Sequence, residues 1–490
     1  MKDVICAKKC LEIDNLLMSD FHIPGILLME QAANAVCKAI ISEHPCPCTV
    51  LCIVGKGNNG GDALAIARIL QTNGYSVKIG LLSNTLPSDA DLNLRYFLGR
   101  KEVYLLNEDS LADFFSYEAE IIVDGLLGIG LNRPVIGFYA EIIRCINRHT
   151  AKVYAIDIPS GVNADNGHAE TAVYADKTIT FTALKPGHLL YPGKEYCGKV
   201  ELVQIAPPDA VSALLSANIH WVDNVSLPKR KPNTHKTNYG RLAVLAGSKG
   251  MAGAAVMCSK AALAGGSGLT TFLGCEYVTD ILQASVPAVM AKSISDHPNY
   301  LCCDNIQVLL DEYQAFVLGP GIAQNKNSIP MVLEAAVTDI PKVIDADALN
   351  ILSREAIIYG DNTVITPHPA EFSRLSGLPI KEILGYPIES AQHYAKMHKI
   401  TVLLKGATSV VTDGDDVYLI TAGTPGMAKG GSGDVLSGVI GALLAQGFSP
   451  IESAYSAAYF CGKAAESAAV KHGEYSMLPE DTIVELGHVM

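Results

Sequence analysis

The chain is short of positive charge. Lysine and arginine number 37 against 50 aspartates and glutamates, which gives a formal net charge of −13 at pH 7. General nucleic-acid binding needs a basic surface that displaces counterions, so this balance argues against a nucleic-acid partner. A nucleotide is not excluded, because one small site can be locally positive.

Long apolar runs and paired cysteine motifs are also missing. No stretch approaches 18 uninterrupted apolar residues, so the sequence predicts no membrane span. The segment from Met1 to Asp20 is interrupted by charges and does not suit a signal peptide. The 13 cysteines form no Cys-x-x-Cys pair and no His/Cys cluster at metal spacing. Their odd number favours reduced thiols over a disulfide framework, and we therefore expect a cytoplasmic protein.

Composition and length indicate a large α/β protein with more than one domain. A chain of 490 residues that is 49% hydrophobic and 18% charged suits roughly two to four globular domains. Buried strands that run into glycine-rich turns and helices recur in both halves. Between them, 206–238 is rich in proline, carries the basic cluster 229–231 and has little periodicity. We interpret that stretch as a solvated connection between domains 1–215 and 225–490.

The first glycine-rich turn follows the predicted strand from Thr49 to Val54. It reads Gly55-Lys-Gly-Asn-Asn-Gly-Gly-Asp62 and formally contains the G-x-G-x-x-G fingerprint of dinucleotide binding. That fingerprint also requires an acid at the end of the second strand, where it binds the ribose of the dinucleotide. Here the second predicted strand is 76–82, and Ser83 and Asn84 follow it. An ordinary oxidoreductase is therefore disfavoured. The turn is not a Walker A loop either, because Lys56 precedes the later glycines, whereas the Walker A lysine follows them. What remains is a turn able to bind a polar ligand or a cation.

Two further strands of the first half are predicted to end in an acid. Asp124 closes the strand that begins at Ile121, and Asp157 closes the strand that begins at Val153. Each acid stands beside glycines, and ligands of open parallel sheets bind at the carboxyl ends of the strands. Helix capping would explain one such acid. Three polar strand ends together favour a site.

In the second half the main motif is Thr424-Pro-Gly-Met-Ala-Lys-Gly-Gly-Ser-Gly-Asp434, followed by an apolar run that predicts a buried helix. Glycines at the amino end of a helix leave free N–H groups that favour a phosphate. Asp434 is the group there that could take a proton from a substrate hydroxyl. The alternative is an acid that helps to cap the helix.

Other strand ends of the second half carry candidate groups. Asp345 and Asp347 follow one strand, and His368 with Glu371 follows another. A histidine between prolines is often structural, but its place at a strand end keeps binding open. Lys405 ends a strand as a point charge suited to nucleotide phosphate. The segment 410–420, with Asp413-Gly414, predicts a hairpin that projects from the sheet.

The first half carries three motifs in order: Asn58-Asn-Gly-Gly-Asp62, Asp124-Gly-Leu-Leu-Gly-Ile-Gly130 and Asp157-Ile-Pro-Ser-Gly161. Together they resemble the NAD(P)H-hydrate epimerase family over about residues 1 to 215. The resemblance implies a Rossmann-like three-layer α/β/α sandwich in which Asp157 is catalytic and lies beside the reacting ring of the hydrated dinucleotide. It also implies that Asn59, Asp124 and Ser160 hold a potassium ion, and oxygen ligands suit such a hard cation better than zinc. The other implied substrate contacts are Asn58, Asn59, Gly60, Gly61, Asp62, Gly128, Ile129, Gly130, Leu131, Asn132, Arg133 and Pro134. The motif from Lys185 to His188 matches the family too, with no role implied.

The motifs of the second half resemble the ADP/ATP-dependent NAD(P)H-hydrate dehydratase family, whose domain is a ribokinase-like α/β domain, over roughly 225–490. The resemblance implies that Asp434 is catalytic and contacts the substrate. The other implied substrate contacts are Ala254, Gly321 and His368. The implied nucleotide contacts are Lys405, Gly406, Ala407, Thr408, Ser409 and Gly433.

As a whole the chain is similar to the bifunctional NAD(P)H-hydrate repair enzymes of bacteria. The resemblance implies that the first domain interconverts the R and S forms of the hydrate and that the second dehydrates the S form. ADP or ATP would be the co-substrate, with K⁺ and Mg²⁺ as cofactors. We expect small-molecule substrates and a homo-oligomer, with neither a nucleic-acid nor a membrane partner.

Two other functions fit parts of the sequence. The second half alone would suit a vitamin-type small-molecule kinase that releases a phosphorylated product. The first half alone would suit a ligand-binding or scaffold module without turnover.

Overall fold

The computed structural model describes residues 1–97, 99–206, 217–355 and 358–490. Within these ranges the chain forms two compact units. One comprises Lys2–Ala217, and the other comprises Asn218–Met490 together with Met1. The division after residue 217 falls between the two predicted domain ranges.

The first unit is built on a parallel sheet. The unit begins with the short strand β1 Lys2–Val4, which lies outside this sheet. The strands of the sheet are β2 Thr49–Val54, β3 Ser76–Leu81, β4 Val103–Leu105, β5 Ile121–Gly125, β6 Lys152–Ile156, β7 Lys177–Phe181 and β8 Lys199–Val203. The sheet order is β4-β3-β2-β5-β6-β7-β8, and each neighbouring pair is parallel. The strand order reverses beside β2, and such a switch point leaves a crevice outside the carboxyl ends of β2 and β5.

Helices cover both faces of this sheet. They are Ala7–Ser19, Gly25–Glu43, Asn58–Thr72, Ser88–Phe97, Leu111–Phe115, Phe138–Arg148 and Gly193–Tyr196, with a 3₁₀ turn at Pro186–His188. In β2, the side chains at positions 50, 52 and 54 pack with Gly25–Glu43 and Asn58–Thr72. Those at positions 51 and 53 pack on the other face with Phe138–Arg148. This alternation confirms the predicted three-layer α/β/α sandwich, since both faces of a parallel strand must be buried.

The second unit has a larger sheet that is parallel at its centre. Its strands are β9 Ile219–Trp221, β10 Arg241–Leu245, β11 Leu269–Gly274, β12 Met290–Ser293, β13 Ala315–Leu318, β14 Lys342–Ile344, β15 Thr363–Ile365, β16 Thr401–Leu404, β17 Ser409–Thr412 and β18 Val417–Ile420. They are ordered β9-β18-β17-β16-β15-β14-β13-β10-β11-β12. The strands from β16 through β10 to β12 are parallel neighbours, whereas β16, β17 and β18 pair antiparallel.

The helices of the second unit are Ala252–Ala264, Glu276–Ser285, Ile306–Leu310, Ile329–Ala336, Ala346–Leu352, Pro369–Ser376, Ile380–Gly385, Pro387–His398, Ser432–Ala445, Pro450–His472 and Pro479–Val489. Short 3₁₀ turns lie at Lys236–Tyr239, Lys326–Ser328 and Pro425–Met427. Five of the helices pack with the sheet in a single apolar cluster: Ala252–Ala264, Glu276–Ser285 and the last three. Of the helices that the structure describes, none is long and apolar enough to cross a membrane.

Two sequence-based expectations need correction. The stretch 206–238 is not only a connection, because β9 pairs in parallel with β18 and Val222 is buried in the core of the second unit. The part of that stretch from 207 to 216 lies outside the described residues. The hairpin of β17 and β18 does not project from the sheet. It extends the sheet, because β17 pairs with β16 over Val402 to Leu404.

Candidate active sites

The first candidate site is a cavity of about 760 Å³ in the N-terminal unit. Its lining includes the turns that follow β2, β5, β6 and β7, so it lies at the carboxyl edge of the sheet beside the switch point. The predicted residues in the lining are Asn58, Asn59, Asp62, Gly128, Ile129, Gly130, Leu131, Asn132, Arg133 and Asp157. The volume is that of a typical small-molecule site.

Three residues predicted to hold the substrate lie elsewhere. Gly60 and Gly61 are buried in helix Asn58–Thr72. A Cβ at Gly60 would stand 2.2 Å from the Gly55 carbonyl oxygen, and one at Gly61 would stand 2.6 Å from the Met29 methyl group. These glycines therefore allow the helix to pack closely against the preceding turn and against helix Gly25–Glu43. Pro134 is exposed and lies outside the cavity lining.

Asp157 is held at the cavity wall by an unusual backbone angle and a dense set of donors. Its φ is +63°, in the left-handed region that non-glycine residues seldom adopt. Its Oδ1 accepts hydrogen bonds from Thr180 Oγ1 at 2.8 Å and from the Lys185 ammonium. Burial alone would raise the pKa of Asp157, but the charge and hydrogen bond of Lys185 outweigh burial and lower it. The carboxylate is therefore ionised at neutral pH.

Asp62 lies in the same cavity as Asp157, but its pKa is shifted in the opposite direction. Burial raises the pKa of Asp62 well above its ordinary value, and the negative charges of Asp157 and Asp14 add to the effect. Burial and these two charges therefore favour the protonated form of Asp62. Two carboxyl groups whose pKa values are pushed apart in one cavity suit an acid and a base of the same reaction.

The three residues predicted to bind potassium lie around the Leu127 backbone. Asp124 is fully buried and accepts hydrogen bonds from the Ser160 hydroxyl at 2.6 Å and the Ser160 N–H at 2.8 Å. The Ser160 hydroxyl also accepts from the Leu127 N–H at 2.8 Å. The Asn59 amide donates to the Leu127 carbonyl at 2.9 Å, which leaves the Asn59 carbonyl oxygen to accept. Burial raises the pKa of Asp124 to about 6, and no lysine or arginine of the described residues pairs with it.

Sequence reasoning missed one wall of this cavity. Helix Ala7–Ser19 contributes Cys10 and Asp14 to the lining, and Lys185, in the turn after β7, belongs to the lining as well. Burial raises the pKa of Asp14 to about 6 and that of the Cys10 thiol to about 12. Glycine or strand-end signals are absent from that helix, so its amphipathic pattern indicated only a packed surface.

The second candidate site lies at the carboxyl edge of the C-terminal sheet. The parallel strands β13, β14, β15 and β16 are neighbours in that order. The residues that follow them therefore meet at one edge: Gly321 after β13, Asp345 after β14, His368 after β15 and Lys405 after β16. A Cβ at Gly321 would stand 3.0 Å from Ala254 Cβ, so these two predicted substrate contacts lie side by side.

The glycine loop places the amino end of helix Ser432–Ala445 at this edge. Gly431 precedes the helix with φ +105°, a conformation strained for any residue with a side chain. A Cβ at Gly433 would stand 3.5 Å from Lys405 Nζ and 3.6 Å from Asp345 Oδ2. An ammonium group and free helix N–H groups thus face the same space, which is the arrangement that binds a phosphate.

Asp434 is half-buried in the first turn of this helix. In the part of the chain that the structure describes, no hydrogen bond reaches its carboxylate, so it does not cap the helix through its side chain. Burial raises the pKa of Asp434 to about 7, the negative charge of Asp345 adds to the rise, and Lys405 opposes it. Such a group can exchange a proton at physiological pH.

Lys405 is held by partners that are distant in sequence. Its Nζ lies 3.0 Å from Asp345 Oδ1, and Asp345 Oδ2 accepts from the Ser437 hydroxyl at 2.8 Å. Asp345 is 1% exposed, whereas Lys405 is partly exposed. Burial alone would lower the pKa of Lys405, but the charges of Asp345 and Glu371 raise it. The lysine is therefore a fixed positive charge, oriented towards the helix end.

The remaining predicted residues form the rim of this site. His368 caps helix Pro369–Ser376, because its Nδ1 accepts from the Ala370 N–H at 3.1 Å, yet the side chain is 49% exposed. Buried Glu371 accepts from the His368 N–H at 2.9 Å. Gly406 and Ala407 are exposed in the turn before β17, and Thr408 is buried there while Ser409 begins the strand. The histidine thus has a structural role as a helix cap, and its exposed side chain is also accessible to a ligand. Substrate binding by His368 stays a prediction.

Sequence comparisons agree with the division into two units. A family described as NAD(P)H-hydrate dehydratase matches residues 242–486, and one described as YjeF-related protein N-terminus matches residues 26–187. The chain is 34% identical to the bifunctional NAD(P)H-hydrate repair enzyme Nnr of Moorella thermoacetica over 99% of this chain and 96% of that protein. It is 34% identical to the Escherichia coli protein of the same name over 94% of this chain and 89% of that protein.

A solved structure is similar to part of the chain. It is the ADP/ATP-dependent NAD(P)H-hydrate dehydratase from Bacillus subtilis, co-crystallised with ATP and Mg²⁺. The identity is 28%, with 54% of this chain and 93% of that chain covered and a TM-score of 0.47.

Proposed function

The chain belongs to the family of bifunctional NAD(P)H-hydrate repair enzymes, and from this premise we propose how its two sites divide the reaction. The enzyme interconverts the epimers of hydrated NADH or NADPH and dehydrates one of them at the expense of ADP or ATP. We assign epimerisation to the cavity of the N-terminal unit and dehydration to the edge of the C-terminal sheet.

Dehydration needs a better leaving group than hydroxide, and a nucleotide can supply phosphate. In the proposed mechanism Asp434 takes the proton of the substrate hydroxyl while the hydroxyl oxygen attacks the terminal phosphorus of the nucleotide. The phosphoanhydride bond breaks, and the nucleotide leaves one phosphate shorter, as ADP from ATP or AMP from ADP. The ring nitrogen then expels phosphate, and loss of a proton from the neighbouring ring carbon restores NAD(P)H. The observation that carries this proposal is the unpartnered Asp434 carboxylate at the amino end of helix Ser432–Ala445, beside Lys405.

Charge on the transferred phosphoryl group would be stabilised by Lys405 and by the N–H groups around Gly433. Carboxylates outnumber this lysine, since Asp345, Asp434 and Glu371 face it from three elements. Such an excess of oxygen donors fits Mg²⁺ bound together with nucleotide phosphates. The ion would neutralise phosphate charge, while the residues of the chain orient the hydroxyl and the nucleotide.

For epimerisation we propose reversible loss and return of the hydroxyl through a ring iminium. Protonated Asp62 donates the proton with which the hydroxyl leaves as water, and ionised Asp157 stabilises the positive ring. Water then adds to the opposite face of the ring and loses a proton to solvent, and Asp62 regains a proton from solvent, which closes the cycle. Support comes from the two carboxyl groups of one cavity whose pKa values are shifted in opposite directions.

Potassium is proposed to be held by Asn59, Asp124 and Ser160. The residues fit the ion, because a buried carboxylate without a basic partner stands beside hydroxyl, amide and carbonyl oxygens. The bound ion would supply the positive charge that buried Asp124 lacks. It would thereby fix the turn of Gly128–Arg133 that lines the cavity.

Replacing potassium should therefore slow epimerisation. Exchange of K⁺ for tetramethylammonium should lower kcat/KM of the wild-type protein about tenfold or more, the usual order for a disturbed metal site. Asp124→Asn should be slow in either salt, because the amide supplies no charge to hold the ion. The measurement is interconversion of chromatographically separated epimers in each salt. Dependence on K⁺ that survives in Asp124→Asn would contradict the assigned site.

The two units should also work separately. Fragment 1–217 should retain epimerisation, and fragment 218–490 should retain dehydration of the preferred epimer. A fragment that starts at 225 lacks β9 and buried Val222, so it should melt roughly 5 °C lower than fragment 218–490. Thermal melts and the two assays test this. If each fragment is insoluble while the full chain is stable, the units do not fold independently.

One assay tests the function as a whole. Hydrated NADH is mixed with the enzyme, Mg²⁺ and either ATP or ADP, and the absorbance of reduced nicotinamide is followed. Its return supports repair, and both epimers should be consumed. Accumulation of a phosphate ester without return of absorbance would instead support a small-molecule kinase.

Two further properties are proposed on narrower support. All 13 cysteines are unpaired, which suits a reducing, cytoplasmic location. Self-association stays a prediction, and analytical ultracentrifugation would test it.

A further inference from the structure

The motif from Lys185 to His188 surrounds Asp157, although no step of the reaction has used it. The ammonium group of Lys185 donates three hydrogen bonds: to Asp157 Oδ1, to Thr180 Oγ1 at 2.9 Å and to the Phe181 carbonyl at 3.2 Å. The side chain is 2% exposed although the residue belongs to the cavity lining. All three donors of the ammonium group are thus used, and its position is fixed.

His188 contacts the backbone of the same aspartate. Its Nδ1 accepts from the Lys185 N–H at 3.1 Å, so the proton of the neutral ring lies on Nε2. Nε2 then donates to the Asp157 carbonyl oxygen at 2.8 Å. Burial, together with the charge of Lys185, lowers the pKa of His188 to about 4, so the ring stays neutral at physiological pH. This bond holds the peptide of Asp157 in its left-handed conformation.

We propose that Lys185 and His188 are positioning residues of the epimerase site. Lys185 keeps the Asp157 carboxylate ionised and aimed into the cavity, and His188 fixes the backbone that carries it. The inference rests on the proposed function of Asp157. It assigns neither residue to the substrate, because the hydrogen bonds of both side chains are directed to other residues of the protein.

The electrostatic environment makes the lysine necessary. Asp14, Cys10 and Asp62 face the same cavity, and none of them is a cation. Lys56 and Arg133 also belong to the lining, but in the described residues the ion pair of Asp157 is made with Lys185. His188 is neutral, so Lys185 is the cation that contacts Asp157. Without that charge, burial would raise the pKa of Asp157 and favour its protonated form.

The test is the pH profile of epimerisation in the full-length chain. Lys185→Met should lower kcat/KM about a hundredfold at pH 6, and the rate should recover to within about tenfold of wild type at pH 9. The acid limb should move upward by about 3 to 4 pH units, because the buried carboxyl must now ionise without a counter-charge. Lys185→Arg keeps the charge and should keep the wild-type profile. A profile of Lys185→Met that runs parallel to wild type at every pH would overturn the inference.

Two further variants separate this role from general damage. Lys177→Met removes another buried lysine that pairs with carboxylates, Glu43 and Glu201, outside the cavity, and its epimerisation profile should not move. His188→Ala should lose about tenfold in kcat with an unchanged acid limb, since a neutral group is removed. If Lys185→Met does not fold, His188→Ala and Lys185→Arg still decide the matter. An acid limb that moves in either variant would overturn the inference.

Failure of the inference can be told apart from failure of the proposed function. Asp157→Asn that retains epimerisation would remove the role of Asp157 itself. If Asp157→Asn retains a slow residual rate and the double variant Lys185→Met/Asp157→Asn is no slower, Lys185 acts through Asp157 as inferred. A double variant that is about tenfold slower than Asp157→Asn would show that Lys185 acts on the substrate directly.

Discussion

Replacing Asp434 by asparagine should lower the rate of dehydration by about 10² to 10⁴, the range typical for loss of a general acid–base group. Nucleotide affinity should stay within about threefold, since Lys405 and the helix N–H groups that face the phosphate are unchanged. The side chain makes no hydrogen bond that asparagine would break, so the fold should be preserved. Turnover and nucleotide affinity are measured on one preparation.

The pH dependence gives this prediction a second readout. Because burial raises the pKa of Asp434 to about 7, the base form is incomplete below neutrality. In the wild-type protein kcat/KM for dehydration should therefore rise with pH through about 7 and level off above it. The residual activity of Asp434→Asn should lack that rise, because asparagine does not titrate.

Controls distinguish the base from a helix cap. Asp416→Asn makes the same chemical change at an exposed position of the β17–β18 turn and should leave both measurements unchanged. Lys405→Met should weaken nucleotide binding and so show that the affinity assay is sensitive. If Asp434→Asn turns over at nearly the wild-type rate, Asp434 is not the base.

Much of the fold follows from local patterns in the sequence. The strand Thr49–Val54 and the helix after Gly57 were predictable from β-branching, apolar period and glycine punctuation, and both are confirmed. The strand Ile219–Trp221 was not predictable, because three residues among prolines carry no measurable period. Its pairing with β18, almost 200 residues later, defines it as a strand. The hairpin was located correctly, but pattern alone did not show that it continues the sheet.

In the candidate sites, too, local sequence patterns indicated the acidic residues but not the distant residues that pair with them. Strand-end acids and glycine turns indicated Asp157, Asp124 and Asp434, since the carboxyl ends of parallel strands meet at one edge. The partners that set their charge states come from elsewhere in the chain. Lys405 pairs with Asp345 across 60 residues, and Asp345 bonds Ser437 across 92. Such pairs depend on strand order and register, which a single sequence does not contain.

Asp157→Asn should abolish most epimerisation and leave dehydration of the preferred epimer intact. Asparagine has the shape of aspartate and tolerates the left-handed φ of +63° better than most residues, so the backbone should not move. It carries no charge to stabilise a ring iminium, and the rate should fall by about 10² to 10⁴. Interconversion of separated epimers and dehydration of the preferred epimer are measured on the same full-length preparation.

A loss of stability must be separated from this loss of chemistry, because Asp157→Asn leaves the buried Lys185 ammonium without its partner. Breaking a buried pair in this way costs about 3–5 kcal/mol, so the first unit should melt at a lower temperature. Lys185→Met/Asp157→Asn removes both charges and should regain most of that stability without regaining epimerisation. Asp113→Asn, at an exposed position of the same unit, should change neither property. Recovery of epimerisation in the double variant would show that the charge of Asp157 serves the fold and not the reaction.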